Sequence, residues 1–360
     1  LSHPHSTSPL PMASITPGSP LRFVRPNILA LAPYSTARDE YKGGDISVWL
    51  DANESPYNNG VNRYPDPHQK ALKEKIALVK GISPDRIFVG NGSDEAIDLA
   101  FRIFCVPGRD NAVAITPSYG MYSVAAATND VALREIRLNP DFSLPVDRLL
   151  NATDKHTKLL WVCSPNNPTG NAFPTAQLCQ LAQRFNGILV VDEAYVDFSD
   201  KGSLLPLLDR HPNIIVLQTL SKAWGMAGLR LGLAFAHPDV AALFARVKYP
   251  YNINAPTQRT VIEHLERGVK AQVEELVAER RRLAAVLPTL PVVKRVWPSD
   301  ANFFLVQTAD ADATYDALIA EGIIVRNRNR MPLCQGCVRI TIGTPAENDR
   351  LIDVLRNLQL

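Results

Sequence analysis

Residues 158–170 read KLLWVCSPNNPTG, followed by TAQLCQLAQRF at 175–185 and ILVV at 188–191. The apolar run at 158–162 is short and unbroken, as expected of a strand covered on both faces. The Pro-Asn-Asn-Pro-Thr-Gly segment behind it is turn chemistry. Residues 175–185 read as a helix and 188–191 as a second buried strand, so the stretch is one strand–helix–strand unit. Working outward, residues 86–89 read as a strand that turns through Asn91-Gly92-Ser93 into a helix over 94–104. A strand at 112–115 precedes a helix at 119–127, and residues 214–218 and 230–235 give two more buried strands. Strands alternating with helices of this length indicate an α/β fold with a mainly parallel sheet.

From residue 255 to 286 the chain reads as one long helical run without strand signals, a connector into a second lobe. That lobe is expected to hold strands near 302–306, 323–326 and 338–342 and helices at 313–320 and 346–358. Residues 1–20 carry five Pro and no Asp, Glu, Lys or Arg, and are expected to be a disordered arm. Met12 is a candidate native start, with residues 1–11 then foreign to the native chain. No internal repeat is visible.

At 360 residues the chain can bury a large core, most simply in two lobes. Its 38 Lys plus Arg against 36 Asp plus Glu leave a net charge of +2, which argues against a nucleic-acid coat. No run of about 18 apolar residues is present to span a membrane. Five Cys at irregular spacing do not form a disulfide framework and fit the reducing cytoplasm. Cys334-x-x-Cys337 has no second ligand pair and reads as a loop coincidence. The seven His show no metal spacing, so no metal site is expected. Residues 279–282, Glu-Arg-Arg-Arg, read as a solvated helix face. Tyr249 and Tyr251 around Pro250 read as a packed hinge.

Four segments fall at strand ends, where open α/β sheets bind ligands. They are residues 90–95 (GNGSDE), 164–170 (SPNNPTG), 192–195 (DEAY) and 219–223 (TLSKA), with Arg230 eight residues beyond Lys222. Each alone has a plain reading. Ser93 could be an ordinary N-cap, or the glycines and helix amides could hold a phosphate. Asn166 to Gly170 could be only a turn. Asp192, behind four apolar residues, is either an N-cap, an ion-pair member or the partner of a buried cation. Lys222 could be a surface lysine or a partly desolvated nucleophile. Arg230 could be a solvated strand end or a phosphate clamp.

Together they resemble the fold-type I pyridoxal-phosphate enzymes, the aspartate aminotransferase family. An Asn, an Asp, a Tyr, a Ser-Lys segment and an Arg occur in order, with 25, 30 and 8 residues separating Asn167, Asp192, Lys222 and Arg230. The likeness runs from about residue 25 to the end. Within the family it is greatest to the branch that acts on histidinol phosphate, through Ala32-Pro33-Tyr34, Leu50-Asp51-Ala52-Asn53-Glu54, Asn62-Arg63-Tyr64-Pro65, residues 117–122 (PSYGMY), 163–170, 219–230 and 336–344 (GCVRITIGT).

The resemblance implies a large domain with a mainly parallel seven-stranded sheet and a smaller α+β domain. Residues 21–61 would begin the small domain, 62–250 would form the large cofactor domain, and 251–360 would return to the small domain through connecting helices. It implies pyridoxal 5'-phosphate as cofactor, held covalently by Lys222, which then moves protons. Asp192 would keep the ring nitrogen protonated, Asn167 and Tyr195 would bond the phenolic oxygen, and Tyr119 would stack on the ring. Gly92, Ser93 and Asp94, with Thr219, Ser221 and Arg230, would hold the cofactor phosphate. Tyr64 would reach the neighbouring site across a homodimer. Arg339 would clamp the substrate anion, with Arg326 and Tyr34 near it. The implied reaction passes an amine between histidinol phosphate and 2-oxoglutarate, giving glutamate. Alternatives of the same fold are an aromatic aminotransferase, a phosphothreonine decarboxylase and, remotely, a non-catalytic cofactor-binding regulator. The regulator is disfavoured by the retained Lys222 and by the short segment, about 25 residues, ahead of the matching region.

Overall fold

The computed structural model describes residues 18–32, 34–36 and 46–358. The expected arm lies, up to residue 17, outside the described residues, as do Met12 and Pro33. The first sheet has seven strands: β1 (Ile87–Asn91), β2 (Asn111–Thr116), β3 (Ala132–Arg137), β4 (Thr157–Cys163), β5 (Ile188–Asp192), β6 (Ile214–Thr219) and β7 (Leu231–Phe235). Their order is β1-β7-β6-β5-β4-β2-β3. The ladders from β3 to β6 are parallel, and β7 lies antiparallel between β6 and β1. A mainly parallel seven-stranded sheet is therefore present.

The unbroken apolar runs are explained by burial on both faces. Leu159, Trp161, Ile188, Val190, Ile215 and Leu217 point into one cluster; Leu160, Val162, Leu189, Val191, Ile214 and Val216 point into the other. Period-two alternation divides each strand between two cores. Helices α1 (Pro26–Leu29), α2 (Lys70–Lys80), α3 (Gly92–Phe104), α4 (Met121–Thr128), α5 (Val146–Asn151), α6 (Thr175–Arg184), α7 (Pro238–Val247) and α8 (Ala255–Arg267) cover them. Ala96, Phe101, Tyr122 and Phe244 of α3, α4 and α7 line the first cluster, and Leu72, Leu149, Leu178 and Val261 of α2, α5, α6 and α8 line the second. Leu21, Phe23, Val24, Ile28 and Leu29, expected to begin the smaller domain, are buried in the first cluster with α3 and α7.

The second sheet is antiparallel, in the order β10-β11-β9-β8, from β8 (Val293–Val296), β9 (Phe303–Thr308), β10 (Arg326–Asn327) and β11 (Cys337–Thr341). Helices α9 (Lys270–Val286), α10 (Ala311–Ala320) and α11 (Pro345–Asn357) complete this α+β lobe. Leu283, Phe304, Leu318, Val338, Ile340 and Leu351 form its own core. Leu305 and Cys337 face the other way, into a core of the large sheet.

Several expectations are corrected. The single helical run is two helices, because Gly268 at φ 72°, ψ 179° breaks it. The strand expected at 323–326 is only Arg326–Asn327. Arg230 does not open β7; it precedes it in a left-handed conformation, φ 53°. Residues 279–282 are not a solvated face. Glu279 is buried and accepts bonds from Arg282 and Asn348, while Arg280 donates to the carbonyls of Phe198 and Ala301, both at 3.0 Å. Tyr249 is 78% exposed rather than packed, although Tyr251 stacks on Tyr64.

Candidate active site

β7 is reversed between β6 and β1, so β1 and β6 point the same way and β7 starts where they finish. That geometry brings the ends of β1, β4, β5 and β6 and the start of β7 to one edge. Gly92, Asn167, Asp192, Thr219, Lys222 and Arg230 all lie there.

Asp192 ends β5 with 2% of its surface exposed. Tyr122 donates its hydroxyl to Oδ2 at 2.8 Å, and the Ala194 amide donates to Oδ1 at 3.1 Å. No Lys, Arg or His among the described residues forms a salt bridge with it. Burial raises its pKa to about 6, with the Tyr122 bond opposing. Tyr122 is fixed in turn by stacking on Trp161, centroids 5.0 Å apart. A buried carboxylate without a cation is the partner that a protonated ring nitrogen requires.

Lys222 stands open to the cleft, its Nζ 5.8 Å from the centroid of the Tyr195 ring. Its pKa is lowered, first by desolvation and then by the Arg339 charge, with Asp192 pulling the other way. Tyr195 is buried edge-on against Phe303, centroids 5.0 Å apart, and burial raises its phenol pKa.

The first turn of α3 has no side-chain cap, which leaves its amides beyond Gly92 available to an anion. The Gly92 amide donates to the Arg230 carbonyl at 2.7 Å. A Cβ on Gly92, at φ 71°, would lie 2.6 Å from the Arg230 guanidinium. Asp94 accepts from the Tyr119 hydroxyl at 3.0 Å and from Arg230 at 3.4 Å, and Thr219 donates to Ser221 at 3.0 Å. Burial and the Asp94 charge raise the Tyr119 pKa. Uncapped amides, two hydroxyls and a guanidinium fit a phosphate.

Arg339, on β11, forms the opposite wall. Its Nη1 donates to Asn167 Oδ1 at 2.6 Å, its guanidinium carbon lies 5.2 Å from the Phe303 centroid, and its buried Nε has no partner. Arg326 is its ladder neighbour across β10 and is exposed. Tyr34 is 73% exposed, and Tyr64 stacks on Tyr251 at 4.4 Å, so neither is joined to Lys222 in this single chain. Pyridoxal phosphate fits the remaining constellation: a lysine, an unpaired buried carboxylate and an anion cradle in one cleft.

Three residues escaped the sequence reading. Tyr122 lay in a quoted motif, yet its bond to Asp192 was not foreseen. Gly232 on β7 would place a Cβ 2.0 Å from the Ser93 amide nitrogen, so only glycine lets β7 pass the start of α3. Arg328 stands close enough to Arg339, Arg326 and Tyr195 to feel their charges. Among the described residues no group of three His, Cys, Asp or Glu is placed to hold a metal, and no helix is long and apolar enough to cross a membrane.

Residues 37–355 match the family "Aminotransferase class I and II". The histidinol-phosphate aminotransferase of Parabacteroides distasonis is 52% identical over 340 residues, covering 94% of this chain and 98% of that protein. The enzyme of the same name from Cytophaga hutchinsonii is 49% identical over 340 residues, covering 93% and 97%. Among solved structures, histidinol-phosphate aminotransferase from Sinorhizobium meliloti, in complex with pyridoxal-5'-phosphate, aligns with a TM-score of 0.74 at 26% identity, covering 82% of this chain and 84% of that one. A fold-type I architecture, a cleft that brings a lysine beside a buried carboxylate and anion-binding groups, and similarity over nearly the full length converge: the chain belongs to the class I and II aminotransferases.

Proposed function

We propose that this protein is a pyridoxal-phosphate-dependent aminotransferase that converts histidinol phosphate and 2-oxoglutarate to imidazole acetol phosphate and glutamate, a step of histidine biosynthesis. One observation carries the reading. A single cleft holds Lys222 between the unpaired carboxylate of Asp192 and the unfilled guanidinium of Arg339, in a chain half identical to relatives named for this reaction.

When bound, the cofactor supplies a cationic ring that takes up the electron pair left as the substrate Cα–H bond breaks. Asp192 holds the proton at the ring nitrogen. Lys222 Nζ would move the proton taken from the substrate Cα, and its lowered pKa shifts it toward the neutral amine this needs. Asn167 and Tyr195 would hydrogen-bond the phenolic oxygen, and Tyr119 would stack on the ring. The amides of Ser93 and Asp94, with Thr219, Ser221 and Arg230, would grip the phosphate, while Gly92, whose own amide is held by the Arg230 carbonyl, leaves room for the Arg230 guanidinium. Arg339 takes the glutamate carboxylate in one half-reaction and the phosphate of the amine in the other, since a planar guanidinium suits both. Arg326 and Tyr34 border that end. In the homodimer, Tyr64 reaches the partner's site. Residues 62–250 together with α8 make the cofactor lobe, and the chain from α9 onward, with part of 21–61, makes the substrate lobe; the expected boundary at 251 thus moves past α8. The five free thiols suit the cytoplasm.

The test is glutamate formation by purified, cofactor-loaded protein. Histidinol phosphate should drive it from 2-oxoglutarate, and Lys222→Ala should abolish both turnover and the yellow colour. Turnover with an aromatic amino acid alone, or release of carbon dioxide, would sink the substrate assignment. A yellow, active Lys222→Ala protein would sink the lysine assignment.

A further inference from the structure

Three guanidiniums gather at the substrate end: Arg326 and Arg339 face each other across the β10–β11 ladder, and Arg328 follows β10 by one residue. Among the described residues none of the three forms a salt bridge with a carboxylate. Asp312, in the first turn of α10, is occupied by amides from this segment. It accepts from the side chains of Asn327 and Asn329, the two residues that flank Arg328. Asn329 also accepts from the Gly336 amide at 2.8 Å, and the Arg328 amide donates to the Cys337 carbonyl at 2.9 Å. Past Arg328, Met331, Leu333 and buried Cys334 pack against a core of the large sheet. The backbone beneath Arg328 is therefore held on both sides.

The Arg328 side chain is not directed into open water. Its Nε is buried without a partner, as is that of Arg339. Its one hydrogen bond is a long 3.5 Å contact from Nη1 to the Asn327 carbonyl. The charged and titratable groups facing it are Arg339, Arg326, Tyr195 and Cys334, and burial with the two neighbouring guanidiniums pushes its pKa down to about 10. It stays cationic at neutral pH, beside two other cations, with unspent donors. Such a cluster is costly until an anion fills it.

We propose that Arg328 is a third anion-holding residue of the substrate site and that it biases this site toward a phosphate dianion over a carboxylate. The proposal rests on the histidinol phosphate reading, and the physical reason is charge arithmetic. Coulomb energy scales with ligand charge, so one added guanidinium favours a dianion about twice as strongly as a monoanion. A phosphate monoester becomes a dianion above a pKa of about 6, whereas a carboxylate stays a monoanion. Arg328 thus discriminates between the two amine donors that share Arg339.

The experiment compares wild type, Arg328→Gln and Arg328→Lys as holoenzymes. The two half-reactions are followed separately by cofactor absorbance, with histidinol phosphate and with glutamate, from pH 5.5 to 8. For Arg328→Gln at pH 8 the expected loss of kcat/KM is on the order of 10- to 100-fold with histidinol phosphate and about 3- to 10-fold with glutamate. The difference should shrink toward pH 5.5, and Arg328→Lys should restore part of it. Calorimetry with inorganic phosphate and with acetate on the holoenzymes gives an independent readout, phosphate binding weakening more than acetate binding. Equal losses for both donors, a pH-independent difference, or unchanged phosphate binding would overturn the proposal. A wild type that ignores histidinol phosphate would refute the substrate reading instead, and the calorimetric comparison would still decide the role of Arg328.

Discussion

Replacing Asp192 with Asn removes a buried charge that the cofactor-free protein must carry alone. The shape is conserved, and the hydrogen bonds can be kept. The Ala194 amide can still donate to the side-chain oxygen, and the Tyr122 hydroxyl can rotate to accept from the new amide. Burial lifts the Asp192 pKa from 3.8 to about 6. A carboxyl raised in the folded state is stabilising below its unfolded pKa, and that contribution is lost as pH rises through the folded value. At about 1.4 kcal/mol per pH unit, the cofactor-free wild type loses roughly 3 kcal/mol between about pH 4 and pH 6 on this account. Neighbouring Glu193, raised by burial to about 7, adds a slope of the same sign, but it remains in the variant. The difference between the two proteins therefore isolates Asp192. Urea denaturation of cofactor-free protein should show Asp192→Asn more stable than wild type at pH 8 by up to ~3 kcal/mol, and no more stable at pH 4. The loaded variant should meanwhile lose about 100-fold or more in turnover, because the charge at the ring nitrogen is gone. A variant less stable than wild type at pH 8, or a difference independent of pH, would refute the reasoning. Asp192 would then not be an uncompensated buried charge.

Tyr122→Phe deletes the hydroxyl that lowers the Asp192 pKa, so the loaded enzyme should lose activity at a higher pH on its acidic limb, visible in a pH–rate profile; an unmoved limb would remove Tyr122 from the site's electrostatics. Gly232→Ala drives a methyl against the Ser93 amide and should cost about 3 kcal/mol in denaturation and weaken cofactor retention during dialysis; normal retention would mean that α3 shifts without consequence for the cradle.

Much of this molecule could be read in advance because its information is local. The covered strands are continuous apolar runs, and the turns behind them carry Gly, Asn and Pro. The residues of the cleft lie just beyond those runs, so finding the strands located the site. What escaped was written in tertiary terms. β3 (ALREIR) is a charged edge strand with mostly exposed side chains, and β8 (VKRV) is similar, so neither shows a buried run. Glu279 looked solvated because its partner Asn348 lies 69 residues away. Arg328 sits in the tract Arg-Asn-Arg-Asn-Arg, where nothing in the pattern separates it from exposed Arg330. Gly232 resembled any glycine in a strand, because its constraint comes from a helix start 140 residues earlier.

The Arg280 clasp is an anchor shared by the two lobes. One guanidinium nitrogen ties α9 to the segment behind Asp192 and to the entry of β9. Because that one nitrogen serves a carbonyl on each lobe, any displacement at the entry of β9 would strain both bonds together, and Phe303 is thereby held edge-on against Tyr195 beside the cleft.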